Sequence, residues 1–395
     1  MKYFIITYGC QMNESDSEKI AVLLQQQGHM PAKNETDANL IVLNCCSVRQ
    51  AAMHRVYDKI NKYAGKKKII LAGCVLEKDK NMLKEKVWQI WHPDKYFRCP
   101  AVSLRSAPPR GGALKQSCSH TAVHEIATLP PVARNDATPI YVPIMTGCNN
   151  FCSYCAVPYT RGREKSRPAE KIISEVKSLI ENGAEEIMLL GQNVNSYQSS
   201  YESLRGAPLP ARRRGNPDGL PPSTGLLHHP MAVRNDTDFS ALLKIINDLT
   251  GNFRLSFMTS HPKDMSDELI KTMAKCKKLV KNLHLPIQSG DNTILRKMNR
   301  KYTVSRYLNL IKKIRKSIPG IKITTDIIVG FPGETKKQFQ NTVALAKKAK
   351  FSGAFVAKYS PRPGTAAAKL KDDVPQEEKK RRWRILDTLI NKFEH

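Results

Sequence analysis

Three cysteines stand in the spacing C-x-x-x-C-x-x-C, at Cys148, Cys152 and Cys155, immediately after the apolar run Tyr141–Met145. Thiolates this close on one loop can hold three corners of a 4Fe–4S cluster, whose usual full set is four cysteines. The fourth iron is then open to a small chelating ligand, which makes the site a reactive centre rather than a staple. A structural zinc site normally takes four protein ligands, and no fourth Cys or His lies close by in the chain.

A second set of thiols emerges only when the elements around them are laid out. The N-terminal part alternates strand and helix signals: strand Tyr3–Tyr8, helix Ser15–Gln27 closed by Gly28, strand Asn39–Asn44, helical stretch Val48–Tyr63, strand Lys68–Ala72. Such a βαβαβ unit makes a parallel sheet with covering helices. Cys10, Cys46 and Cys74 each follow one of these strands. In a parallel sheet those ends share one edge, so the topology predicts a second three-thiol site. Neighbouring residues at a strand end face opposite ways; Cys46 is therefore the expected ligand, and Cys45 is expected to pack. Cys99, Cys118 and Cys276 are read as non-ligands.

The rest of the chain supplies the frame. Strand signals recur at Tyr141–Met145, Glu186–Leu190, Arg254–Met258, Asn282–Pro286, Lys322–Val329 and Ala354–Tyr359, with helical patterns between them, clearest over Pro168–Glu181. Six such units predict an open, partial (β/α)6 barrel, with its chemistry at the C-terminal strand ends. The fold class is thus α/β: an N-terminal parallel sheet domain (1–96), an irregular insertion and linker (97–136), a barrel (137–368) interrupted at 198–235, and a helical end (369–395). The two interruptions lack periodicity and resemble each other, Ser103–Pro108 against Ser203–Pro208. Both read as disordered insertions, and the ends of Gln198–Asn235 are expected to lie close together.

Net charge is +29, which favours polyanionic partners through counterion release. The first strand begins at Lys2, leaving no room for a signal peptide, and no run approaches the ~18 apolar residues of a membrane helix. A cytoplasmic setting with no membrane partner follows, and ten cysteines there point to metal or redox chemistry rather than disulfides.

Long motifs carry a family resemblance. Tyr8-Gly9-Cys10-Gln11-Met12-Asn13, Cys46-Ser47-Val48-Arg49 and Ala72-Gly73-Cys74 look like the cysteine motifs of a methylthiotransferase N-terminal domain. Gly147–Cys155, Pro158–Arg167, Leu190–Tyr197, Thr259–Pro262, His284–Gly290 and Gly330–Thr335 are similar to the MiaB-type tRNA methylthiotransferase family, of the radical S-adenosylmethionine class. The resemblance implies two 4Fe–4S clusters and S-adenosylmethionine. Cys148, Cys152 and Cys155 would hold the radical cluster that cleaves S-adenosylmethionine to a 5′-deoxyadenosyl radical. Cys10, Cys46 and Cys74 would hold the auxiliary cluster that delivers sulfur to carbon 2 of an N6-isopentenylated adenosine beside the anticodon.

The same resemblance implies tRNA as partner and an electron donor such as flavodoxin or ferredoxin, and a monomer is expected. Gly191, Gln192 and Asn193, then Gln288, Ser289 and Gly330, are expected to line the S-adenosylmethionine pocket. Arg161, Arg163, Lys165 and Arg167 are expected phosphate contacts. The family's usual all-β RNA-binding TRAM domain is not read after the helical signal Glu377–Lys392. Three other activities stay open: methylthiolation of a ribosomal-protein aspartate, methylthiolation of threonylcarbamoyladenosine in tRNA, and a catalytically inactive metal-binding RNA-binding role.

Overall fold

A computed structural model describes residues 1–47, 50–97, 125–127, 139–200 and 236–391. Cys99, Cys118, Val48, Arg49 and both copies of the internal resemblance lie outside the described residues.

The N-terminal sheet contains β1 (Lys2–Tyr8), β2 (Met30–Pro31), β3 (Leu40–Cys46), β4 (Lys68–Cys74), β5 (Gln89–Trp91) and β6 (Glu125–Ala127). Its order is β2-β1-β3-β4-β5, all parallel, with β6 antiparallel on β1. The strand β6 lies within the stretch read as irregular linker and adds Glu125–Ala127 to the sheet; a three-residue strand is too short to show periodicity. Helix α2 (Gln50–Tyr63) covers one face, against Ile41, Leu43, Ile69 and Leu71. Helix α1 (Gln11–Gln26) covers the other with Ile20 and Leu24, against Ile5, Val42 and Ile70.

The first turns of α1 break the apolar pattern. Asn13, Ser15, Asp16 and Ser17 are all buried, and the helix starts at Gln11, nine residues before Ile20. Cys10 is the N-cap residue, and Asn13 reaches back to the Cys10 amide. Asn13 Nδ2 donates to Asn44 Oδ1 at 3.0 Å, while Asn44 Nδ2 donates to the Asn13 carbonyl at 2.7 Å and to Ser17 Oγ at 2.8 Å. Thr7 and Ser17 hydroxyls share a 2.6 Å bond. A closed polar network of this kind is worth more than its separate bonds. It locks α1 to the ends of β1 and β3, beside the cysteines.

The second half begins with β7 (Ile140–Pro143), followed by the small antiparallel pair β8 (Met145–Thr146) and β9 (Lys165–Ser166), then β10 (Glu186–Leu190). Strands β11 (Gln198–Ser200) and β12 (Asp236–Asp238) form an antiparallel ladder in which Ser200 pairs with Asp236, so the two ends of the interruption meet. Then come β13 (Arg254–Met258), β14 (Asn282–His284), β15 (Lys322–Val329) and β16 (Gly353–Lys358). Six parallel strands form two arrays, β13-β10-β7 and β14-β15-β16, linked by a Leu255–Leu279 bridge. This is the open α/β barrel architecture. Ile140, Val142, Ile187, Leu189, Leu255, Phe257, Ile323 and Ile327 point outward into one core with the surrounding helices. The alternate residues Tyr141, Met188, Leu190, Met258, Thr324 and Asp326 face the barrel interior.

The C-terminal helix Gln376–Asn391 packs on this body. Leu386 and Ile390 enter the barrel core, and Asn391 bonds both the amide and the carbonyl of Ala354 at 2.9 Å. That contact occupies polar groups on β16 that a sheet edge otherwise leaves free.

Candidate functional site

The cysteine loop of the barrel is fixed from two sides. The Cys148 amide donates to the Gly162 carbonyl and that of Cys155 to the Cys152 carbonyl. Phe151 sits at φ 46°, in the region disfavoured for a bulky residue. Asn299 Nδ2 holds the Asn150 and Phe151 carbonyls, and Ser153 is bonded through its amide to the Met298 carbonyl and through its hydroxyl to that of Lys297. Two segments far apart in sequence therefore hold one loop shape. Cys148 and Cys155 are partly exposed, and Cys152 is buried. Burial, then the neighbouring Cys152, pushes the Cys155 thiol up to about 12.

Behind this loop stands a residue that motif spacing alone does not reveal. Arg300 is buried and donates to Cys152 Sγ at 3.4 Å, to Tyr302 Oη at 2.6 Å and to the Pro286 carbonyl at 2.7 Å. The polar run Asn299-Arg300-Lys301 reads as surface; only the packing of Tyr302 and Pro286 turns the guanidinium inward.

The N-terminal thiols converge at the C-terminal edge of their sheet. Cys46 and Cys74 are direct partners in the β3–β4 register. Their side chains are hydrogen-bonded, which, followed by the Arg161 charge, lowers the Cys74 thiol against the opposing effect of burial. Cys10 feels the charges of both Cys74 and Arg161. Cys45 points away, into the core under α2, with its thiol on the Ala72 carbonyl. Gly73 has φ +93°, and any side chain there would run into Cys45 and Asn44. Glycine is what lets the chain turn so that Cys74 lies beside Cys46. Cys276 is buried in the barrel core, away from both triads.

The two halves meet at these thiols. Met12 of α1 packs with Tyr141 and Leu190, and Cys10, Met188 and Met258 border the same cluster. Residue Met12 thus closes the barrel interior, and its burial contributes on the order of 1.5–3 kcal/mol. Beside it, Arg161 from the barrel's cysteine-loop segment pairs with Asp16 of α1 at 2.6 Å, both side chains being 1% exposed. Its Nε donates to Cys74 Sγ at 2.8 Å.

The four basic residues expected to face RNA separate accordingly. Arg161 is turned inward. Arg167 is bonded to the Pro143 carbonyl and to Glu175, also inward. Arg163 and Lys165 are exposed, with Arg163 stacked 4.3 Å from the Phe151 ring and Lys165 paired with Asp94 at 3.1 Å. The exposed Tyr159 lies edge-on to Phe151 at 6.1 Å.

The expected cofactor residues also separate. Gln192 Oε1, Asn193 Oδ1, both amide atoms of Asn195, and the hydroxyls of Thr146, Ser256 and Ser260 are buried without a partner. They belong to β8, β13 and the segments that follow β10 and β13, so unsatisfied donors and acceptors gather on one side of the barrel. Gly191 faces Met145 and Val194. Gln288 and Ser289 are buried, Gln288 at φ 75°. At Gly330 the space a side chain would need is filled by Lys379, and its amide donates to Glu334.

These residues fit the groups the sequence implies. Among the described residues each set offers three free thiols. Three thiolates can take three corners of a cubane, whereas a structural zinc normally takes four protein ligands. The partnerless polar atoms suit a small, strongly polar ligand, because a buried polar group left unpaired costs about 1–3 kcal/mol.

Residues 142–346 match the radical SAM superfamily, and residues 2–91 match a family described as uncharacterized protein family UPF0004. The barrel and its cysteine loop therefore define a radical S-adenosylmethionine enzyme. The chain is 39% identical to the tRNA-2-methylthio-N(6)-dimethylallyladenosine synthase of Clostridium novyi, over 99% of this chain and 81% of that one. It is 41% identical to the synthase of the same name from Alkaliphilus oremlandii (98% and 78%) and 40% to that from Carboxydothermus hydrogenoformans (98% and 83%). The chain belongs to this methylthiotransferase family. Among solved structures, the radical S-adenosylmethionine methyltransferase TsrM from Kitasatospora setae superposes with a TM-score of 0.56 at 11% identity, covering 93% of this chain and 74% of that one, a likeness of fold. No helix among the described residues is long and apolar enough to cross a membrane.

Proposed function

We infer that the chain attaches a methylthio group to carbon 2 of N6-dimethylallyladenosine in tRNA. The observation that supports this reading is the contact between the two halves: Cys10 borders the apolar cluster of Met12, Tyr141 and Leu190, and Arg161, from the barrel's cysteine-loop segment, donates to Cys74. In this reading Cys148, Cys152 and Cys155 hold one cluster and Cys10, Cys46 and Cys74 the other. When bound, the clusters and S-adenosylmethionine supply the radical and the sulfur.

The chain's own residues supply position and exclusion. Gln192, Asn193, Ser256 and Ser260 give S-adenosylmethionine the polar partners their buried atoms lack. Met12, Tyr141 and Leu190 keep water from the reacting carbon. Arg163 and Lys165 contact tRNA phosphates, and the exposed ring of Tyr159 offers a stacking face for an unpaired base. An external one-electron donor of the flavodoxin or ferredoxin kind, a cytoplasmic setting and a monomeric state complete the reading. Mass spectrometry of nucleosides from tRNA of cells with and without this protein tests it. The 2-methylthio nucleoside is expected only with the protein; its presence in equal amount in both would refute the assignment.

A further inference from the structure

Arg161 is buried at 3% exposure and comes from the barrel, yet it makes its contacts in the N-terminal domain. Its Nε donates to Cys74 Sγ at 2.8 Å and its Nη2 to Asp16 Oδ2 at 2.6 Å. The third nitrogen, Nη1, is buried and has no partner. A guanidinium is a rigid fork of donors that stays charged in any protein environment. Two prongs fix its plane, so the third has a defined direction and a desolvation cost that nothing present offsets. The unpaired prong belongs to a residue whose other two prongs hold Asp16 and Cys74 and whose charge also acts on Cys10.

We propose that Arg161 is a positioning residue for the auxiliary cluster, holding the Cys74 sulfur through Nε and presenting Nη1 to the cluster or its exchangeable sulfur ligand. The proposal rests on the assignment of Cys10, Cys46 and Cys74 as ligands. Charge balance supports it independently. Asp16 and Arg161 neutralise each other, whereas three thiolates leave an oxidised cubane net negative, and net charge and hydrogen bonds to sulfur set a cluster's potential. Each electron added deepens that charge, so a guanidinium on the sulfur favours the reduced state. Arg362, half-buried, is a second cation that acts on Cys46 by charge. Because Arg161 lies in the segment that follows the radical-cluster cysteines, the auxiliary site is complete only when the two domains are docked.

The test uses full-length protein carrying Cys148→Ala, Cys152→Ala and Cys155→Ala, so that the auxiliary cluster alone is read after anaerobic reconstitution. Iron content, iron loss to a chelator and midpoint potential by EPR-monitored titration are measured. The Asp16→Leu/Arg161→Met pair removes the ion pair without stranding a buried charge, a replacement proteins often tolerate. It is expected to keep its thermal midpoint but to show a lower midpoint potential and roughly 10–100-fold faster iron loss, the usual scale for outer-shell partners. Arg161→Lys, with Asp16 retained, keeps the cation without the fork; the potential should stay near the wild-type value while iron loss is fast. Unchanged potential and iron loss in the pair variant would overturn the proposal. Should the pair variant unfold, Arg161→Lys decides alone, with unchanged iron loss counting against it. Failure of the background protein to bind any cluster would overturn the ligand assignment itself, and the proposal with it.

Discussion

Cys148, Cys152 and Cys155 share one loop, whereas Cys10, Cys46 and Cys74 come from three strand ends, and each set has a buried arginine on one of its sulfurs. On the barrel side Arg300 reaches Cys152 from within the same domain. On the sheet side Arg161 reaches Cys74 from the other domain. The loop is shaped by local bonds and by the clamp at residues 297–299; the strand-end set depends on sheet register, on the polar seam under α1 and on docking. The first site is self-contained and the second is shared, so damage to the interface should reach one before the other.

The largest expected effect breaks the self-contained side. Cys152→Ala should abolish formation of 5′-deoxyadenosine from S-adenosylmethionine, measured by chromatography after anaerobic reconstitution; normal yield would remove this loop from the reaction. Next, Arg300→Met keeps the bulk but leaves Cys152 Sγ without its arginine donor and the Pro286 carbonyl with only the 3.3 Å bond from Tyr302. A roughly 10–100-fold fall in 5′-deoxyadenosine rate is expected, and a wild-type rate would make Arg300 a packing residue only.

A smaller effect concerns pH. Burial, then the charges of Arg300 and Lys263, push the His261 imidazole from 6.5 down to about 2. The unfolded chain takes up a proton there that the folded protein refuses. This contribution to stability is present above pH ~6.5 and is lost progressively as pH falls below it. His261→Asn should flatten the slope of unfolding free energy against pH below ~6.5 by up to about 1.4 kcal/mol per unit. Denaturant melts of the two proteins at several pH values check this, and parallel slopes would contradict it. The smallest effect should come from replacing residues 201–235 by a short Gly/Ser turn, since the β11–β12 ladder already brings Ser200 to Asp236 and loop length alone costs little. Iron content and 5′-deoxyadenosine yield should be unchanged; loss of either would mean that the segment supports the barrel.

The same contrast explains what could be read in the sequence. Strands Glu186–Leu190, Arg254–Met258 and Lys322–Val329 coincide with the structure residue for residue, because an apolar core face fixes their pattern. The strand expected to run to Pro286 stops at His284, and the Pro286 carbonyl is taken by Arg300. Helix α1 starts at Gln11 rather than Ser15, since the face it buries there is polar and hydrophobic periodicity is blind to it. The convergence of Cys10, Cys46 and Cys74 was legible from topology alone. The inward turn of Arg161 and Arg167 was not: a basic run after a cysteine loop reads as a surface, and the buried partners Asp16 and Glu175 are distant or unremarked in sequence. The packing of Lys379 against Gly330 was illegible for a related reason, since Lys379 comes from the C-terminal helix.

The claim that two separable thiol sites serve one reaction is tested most directly by a single assay on the Cys10→Ala/Cys46→Ala/Cys74→Ala protein, with both products followed by mass spectrometry. The account predicts 5′-deoxyadenosine at near wild-type yield, about half the wild-type iron and no 2-methylthio nucleoside in the tRNA. Retained methylthiolation, or loss of 5′-deoxyadenosine from a protein that still folds and binds iron, would contradict it.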